Sequence, residues 1–275
     1  MLKRHIVVPM AALLLGIAGG VMRANELANA FERASWFAIP NHPATITLMA
    51  FAGVFAVAVA IYIARADFRR PYGFGDAMAG VRSPYIIAQS LGLVLLMAGA
   101  ARDLLVFMTE TPPPMSRLIF AAFALLSGIC LFAVSAGLFK GRVIAPAGFC
   151  MLTAIFWGCL WLLFTYWVKS ADPVLLDYIY ELFAVMFIVI SLHLTAGGVF
   201  YRVHPKRTVF CLLMSVFMAT LNGGGVLIAR LFYGRQFASN EFQTMFYFGF
   251  AVVYCLSFCI VLMRNCRQKD IQVVG

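Results

Sequence analysis

The chain has 275 residues, of which 63% are hydrophobic and only 12% charged, with a mean hydropathy of +0.93. That charged fraction is far below the roughly 25% of a soluble domain and excludes an ordinary water-soluble globule. The net charge of +10 does not indicate nucleic acid: the basic residues sit in short loops between apolar runs and do not alternate with aromatics.

Eight apolar runs have the roughly 20-residue length needed to cross a hydrocarbon core. They are predicted as helices at about 6–22, 44–64, 84–108, 117–139, 143–168, 175–201, 208–233 and 243–263. No polar stretch between them is long enough for a soluble domain, so residues 1–275 read as one integral membrane domain. The expected fold is an all-α polytopic transmembrane bundle, eight spans in four antiparallel hairpins. Alternate loops then carry fourteen of the 21 basic residues against three acids, Asp67, Asp76 and Asp270. By the positive-inside rule both termini are cytoplasmic.

In the first span, Lys3-Arg4, an apolar core and Ala28-Asn29-Ala30 resemble a signal peptide. Arg23 and Glu26 lie between the core and the small residues, where charge is unusual in a cleaved leader, so retention as a signal anchor is expected. Ala12, Gly16 and Gly20 recur at four-residue spacing, a small-residue stripe that admits a close helix neighbour. The segment 23–43 reads as an outer loop with an interfacial amphipathic turn, then Pro40 and Pro43 leading into the second span. Loop 65–83, with Arg69-Arg70-Pro71, reads as a topogenic segment against lipid headgroups. Three spans end in small residues followed by arginine: Gly19-Gly20 before Arg23, Gly99-Ala100-Ala101 before Arg102, and Gly223-Gly224-Gly225 before Arg230. This hints at a duplicated hairpin.

Ionisable groups inside apolar spans are costly and point by default to function. Glu181 lies six residues inside span six and Arg102 six inside span three, each about 9 Å below the outer boundary. Arg230, four residues from the end of span seven, is about 6 Å deep. Asp177 and Asp103 stand beside them, and Asp177 shares a helix face with Glu181. Glu181 with Thr195, and Gln89 with Asp103, are each fourteen residues apart and nearly in phase. Ser215 and Asn222 share a face of span seven. The adjoining triple glycine is expected to loosen that helix at mid-membrane, as in broken transporter helices.

His193 is the one histidine deep in a span and is expected to hydrogen-bond within the bundle. The seven cysteines form no disulfide framework and read as small buried hydrophobes. Met214 with Met218 and Cys255 with Cys259 place sulfurs on one face, a pattern read as packing rather than a copper site. No phosphate-cradling loop, zinc-ligand spacing or nucleophile elbow is present, so no enzyme activity, catalytic residue, metal or cofactor is expected.

Three stretches carry a resemblance: Ile39-Pro40-Asn41-His42-Pro43-Ala44-Thr45, the run from Ala171 to Leu182, and Gly197-Gly198-Val199-Phe200-Tyr201-Arg202. In these motifs and in span order the chain resembles a family of uncharacterised eight-span membrane proteins of anaerobic Gram-positive bacteria. The resemblance implies the topology, in a bacterial cytoplasmic membrane, and no chemistry.

The leading functional expectation is a transporter-like or small-solute-binding membrane protein with a polar site in the outer half. Glu181 and Asp177 would handle a cation or proton, Arg102 and Arg230 an anionic group, with Asp103 beside them and Asn222 lining the floor. The alternative is a non-catalytic membrane anchor or assembly subunit, in which Arg–carboxylate pairs lock helices. Expected partners are membrane lipids, a small solute or ion, or a partner membrane subunit, and no nucleic acid.

Overall fold

A computed structural model of the chain describes residues 4–32, 37–71, 73–110, 115–169, 178–200, 203–234 and 242–266. In chain order the helices are α1 (Arg4–Asn29), α2 (Pro43–Arg65), α3 (Phe74–Ala77), α4 (Ser83–Thr109) and α5 (Met115–Phe139), then α6 (Ala147–Lys169), α7 (Ile179–Phe200), α8 (Pro205–Tyr233) and α9 (Phe242–Cys266). All except α3 are long and apolar enough to cross a membrane. The all-α eight-span architecture is therefore observed, with both ends of the described chain on one side. That side carries the basic loops and is called inner below; the other is outer.

Local chemistry sets the helix ends. α2, α4 and α8 each have proline in the first turn, where the missing N–H removes no hydrogen bond. His42 Nδ1 accepts the Ala44 N–H at 3.2 Å and caps α2. α8 stops at Gly234, which adopts the left-handed conformation with φ 59°.

Neighbouring helices α4, α5, α6, α7, α8 and α9 touch in sequence, and α9 returns to α4, closing a six-helix ring. Phe120, Trp157, Trp161, Tyr247 and Phe250 fill its interior, with ring centroids 5.2–5.8 Å apart in the Phe120–Tyr247, Trp157–Trp161, Trp157–Tyr247, Trp157–Phe250 and Trp161–Tyr247 pairs. Edge-on and tilted aromatic contacts of this kind exceed simple area burial. α1 and α2 pack outside the ring against α8, so α8 is covered on nearly all sides.

Lipid tails are as apolar as leucine, so packing and interhelical hydrogen bonds hold such helices together. The small-residue stripe of α1 does this work. A Cβ on Gly16 would lie 2.8 Å from Thr220 Cβ, and one on Gly20 would lie 3.2 Å from the Gly225 nitrogen. Ser191 and Ser215 hydroxyls bond at 2.7 Å across α7 and α8, and Gln89 Nε2 donates to Ser257 Oγ at 2.8 Å across α4 and α9.

Four expectations need correction. α1 does not end near residue 22 but continues to Asn29, because Arg23 and Glu26 neutralise each other inside the bundle. Residues 23–29 are therefore helix, not an interfacial turn. The triple glycine does not break α8, which is helical throughout; Gly223 and Gly225 serve close approach instead. His193 faces away from the bundle.

The fourth concerns loop 65–83, which is not a bare topogenic loop. Its α3 is seated under the bundle, with Phe74, Ala77 and Met78 buried. The end of α9 holds it: Arg264 Nη2 donates to the carbonyls of Ala79 and Gly80 at 2.9 and 2.7 Å. Asn265 Nδ2 donates to those of Ala77 and Ala79, both at 2.9 Å.

Candidate functional site

Charged side chains gather at the outer ends of the helices, and the structure sorts them into two centres.

The first lies where α1, α7 and α8 meet. Arg23 and Glu26, one turn apart on α1, are 1% and 2% exposed and form an ion pair. The Arg23 guanidinium carbon also lies 4.7 Å from the centre of the Tyr180 ring of α7, a cation–π distance. Room for the arginine comes from α8: a Cβ at Gly225 would lie 2.5 Å from Arg23 Cγ and 2.6 Å from Arg23 Cβ. The two spans that end alike in glycines and arginine are thus two halves of one contact. Gly20 meets Gly224 and Gly225, and Arg23 overlies Gly225.

Glu181, next to Tyr180, is 4% exposed in the first turn of α7. The Ser191–Ser215 bond sets the register of the antiparallel pair α7 and α8. Asn222, seven residues further toward the outer end, is then level with Ala184, one turn or about 4.5 Å below Glu181. Asn222, Ser215, Ser191 and Thr195 are all buried. They make a polar seam between α7 and α8, running inward from the charged cluster. At its inner end is a cavity of about 10 Å³ lined by Thr195, Thr208, Gly198, Val203 and Phe258 and closed below by Phe74 of α3. That is roughly the space of one water.

The second centre joins α4, α5 and α9. Asp103, 2% exposed, accepts from the Tyr247 hydroxyl and is 3.3 Å from Arg117 Nη1. Its helix face continues to Gln89, as the fourteen-residue spacing predicted, and both side chains are turned toward α9. A bridge of aromatics separates the centres: Tyr247 packs on Trp161, Trp161 on Phe248, and Phe248 against Gly223.

The six candidate residues therefore separate. Glu181 and Asn222 are both buried, at neighbouring depths on α7 and α8, and Asp103 belongs to the second centre. Arg102 and Arg230 are exposed at the outer ends of α4 and α8. Asp177 lies outside the described residues. Sequence reasoning missed Arg23, Glu26, Tyr180, Arg117 and Tyr247 as site residues. The signals available were the i, i+3 spacing of Arg23 and Glu26 and the glycine stripes on α1 and α8. Arg117 gave none, because a basic residue at the start of a span reads as its border. Among the described residues, no group of three or more His, Cys, Asp or Glu side chains is arranged to hold a metal ion.

Eight helices long and apolar enough to cross a membrane define a multi-pass integral membrane protein. No protein-family model matches the chain, and no curated protein and no solved structure is detectably similar to it.

Proposed function

We propose that the protein binds, and passes inward, a small solute or cation at the α1–α7–α8 centre in the outer half of the membrane. Glu181 is the principal group for a cation or proton, Arg23 and Glu26 set the local field, and Asn222 forms the floor. One observation carries this reading: three buried ionisable side chains, Arg23, Glu26 and Glu181, stand near the outer ends of α1 and α7, and buried polar side chains of α7 and α8 continue inward from there. Charge in a hydrocarbon interior is retained at a cost, and such residues mark substrate and ion pathways. The excess of basic residues on the inner loops supports an orientation with both termini cytoplasmic, and the family resemblance alone is our basis for assigning the bacterial cytoplasmic membrane. Membership of the eight-span family described above is part of this proposal.

The test is a binding screen on the protein in lipid nanodiscs, using inorganic cations and small organic cations, anions and zwitterions. The expected result is one solute class that raises the thermal midpoint of the native chain and fails to do so for Glu181→Gln. A screen in which no class binds, while Glu181→Gln is merely less stable, would contradict it.

The second centre favours a different role for its own residues. Asp103 has partners on two other helices, as a helix-locking group should. An anchor or assembly subunit would need locks of this kind at both centres.

A further inference from the structure

α3 stands across the inner end of the buried polar side chains that run between α7 and α8. Thr195, the innermost of these on α7, is five residues from Phe200, about 7.5 Å inside the end of the helix. Between it and the inner face lies an apolar collar. Phe74 and Ala77 of α3, Val203 between α7 and α8, and Phe258 and Leu262 of α9 compose it, and all are buried. The fit is close: the Phe74 and Phe258 ring centroids are 6.2 Å apart, and a Cβ on Gly198 would lie 3.5 Å from Phe74 Cδ2. The space left inside is the cavity of about 10 Å³, room for one water. An apolar constriction of this kind stops ions and polar solutes, which would have to shed their water to pass.

One side of the collar is detachable. Phe258 and Leu262 sit on a membrane-crossing helix, whereas α3 is continuous with neither α2, which ends at Arg65, nor α4, which begins at Ser83. α9 holds α3 and the turn after it through the bonds from Arg264 and Asn265 to the carbonyls of Ala77, Ala79 and Gly80. A further bond runs from the Arg69 N–H to the Cys266 carbonyl at 2.6 Å. Most of the side-chain bonds are exposed, so water can replace α9 at those carbonyls and release leaves no buried acceptor unpaired.

We infer that α3 is the inner gate of the route between α7 and α8, shut by Phe74 and latched by Arg264 and Asn265. The inference rests on the solute-binding reading and adds to it the exit on the inner side. When the latch lets go, Phe74 withdraws from the collar, and Thr195 and Thr208, which line the cavity, meet the inner water.

The test uses Thr195→Cys in a full chain whose seven native cysteines are replaced, in inside-out vesicles treated with a membrane-impermeant thiol reagent. With the latch intact, position 195 should react slowly. Arg264→Ala with Asn265→Ala removes the four side-chain bonds. Even at the low end of ordinary net hydrogen-bond strength, that loss should raise the open population, and with it the labelling rate, about thirtyfold or more. Phe74→Ala keeps the latch but thins the collar, and should also speed labelling. Trp157→Cys, in the aromatic core of the ring, should stay unreactive in both backgrounds, which separates gate opening from a loosened bundle. No gain in the latch variant, no gain in Phe74→Ala, or labelling of position 157 together with 195 would each overturn the gate. None of these results needs a solute, so the gate can fail while solute binding at Glu181 stands. Failure of the solute-binding reading shows instead at Glu181, as no solute bound and no labelling from outside.

Discussion

Gly224 and Gly225 are neighbours in one helix, yet the structure predicts opposite consequences for the same added methyl group. At Gly224 a Cβ meets nothing within 4 Å. Replacing it with alanine should therefore express only the helix preference, a stabilisation of about 1 kcal/mol. At Gly225 the methyl would lie 2.5 Å from Arg23 Cγ and 3.1 Å from the backbone oxygen of Gly20. The arginine stem is held by its pairing with Glu26 and its stacking on Tyr180, and a backbone oxygen has nowhere to go. Overpacking of this kind costs about 1–3 kcal/mol, which cancels or exceeds the same 1 kcal/mol gain. The gap between the two variants is thus about 1–3 kcal/mol, and at about 2–4 °C per kcal/mol it should appear as several degrees in midpoint. Thermal unfolding of Gly224→Ala and Gly225→Ala in one detergent, followed by intrinsic tryptophan fluorescence, is the assay. If Gly225→Ala is as stable as Gly224→Ala, α1 does not sit on α8 as described and the first centre loses its geometry.

Further consequences follow from the same contacts. Arg23→Met alone should cost about 3–5 kcal/mol by stranding buried Glu26, whereas Arg23→Met with Glu26→Leu should recover most of the loss; denaturant titration of the single and double variants decides. At the second centre, Tyr247→Phe removes a buried hydrogen bond to a carboxylate and should cost about 1.5–3 kcal/mol. Arg117→Gln, whose side chain is 21% exposed, should cost less, so the ordering of their unfolding midpoints is the check. Asn265→Ala deletes two bonds to the α3 turn and should speed amide hydrogen exchange in residues 74–80 while leaving the middle of α7 unchanged. Equal exchange in the native chain and the variant would mean that the clasp does not hold α3.

The spans were legible because burial in lipid demands long apolar runs, and a run of this kind has few alternatives. The in-phase spacing of Gln89 with Asp103 and of Glu181 with Thr195 also survived, since helical periodicity alone places those pairs. What failed was reading charge as a boundary. Arg23 and Glu26 look like the end of a span in one dimension. In three dimensions each neutralises the other beside a glycine pair on α8, and α1 continues past them. Depth alone also treated Arg102 and Asp103 as one site, although adjacent residues lie about 100° apart on a helix. Asp103 turns inward to Tyr247, and Arg102 turns out. The four-residue α3 has no periodic signal of its own, and the end of α9 holds it and the turn after it through the carbonyls of Ala77, Ala79 and Gly80. His193 was read as an inward bundle residue from its depth, a quantity that does not specify azimuth.

The most direct test of a polar route at the α1–α7–α8 centre is its accessibility from the outer face. Single cysteines at Glu181, Asn222, Arg102 and Trp157, in a background with the seven native cysteines replaced, would be titrated with a membrane-impermeant thiol reagent added outside. Arg102→Cys is the exposed control, and Trp157→Cys, inside the aromatic core of the ring, is the buried one. The account predicts ready modification at 181, slower modification one turn deeper at 222, and none at 157. If 181 and 222 are as unreactive as 157 while 102 labels fully, the buried charges only join helices and the solute-binding reading is wrong.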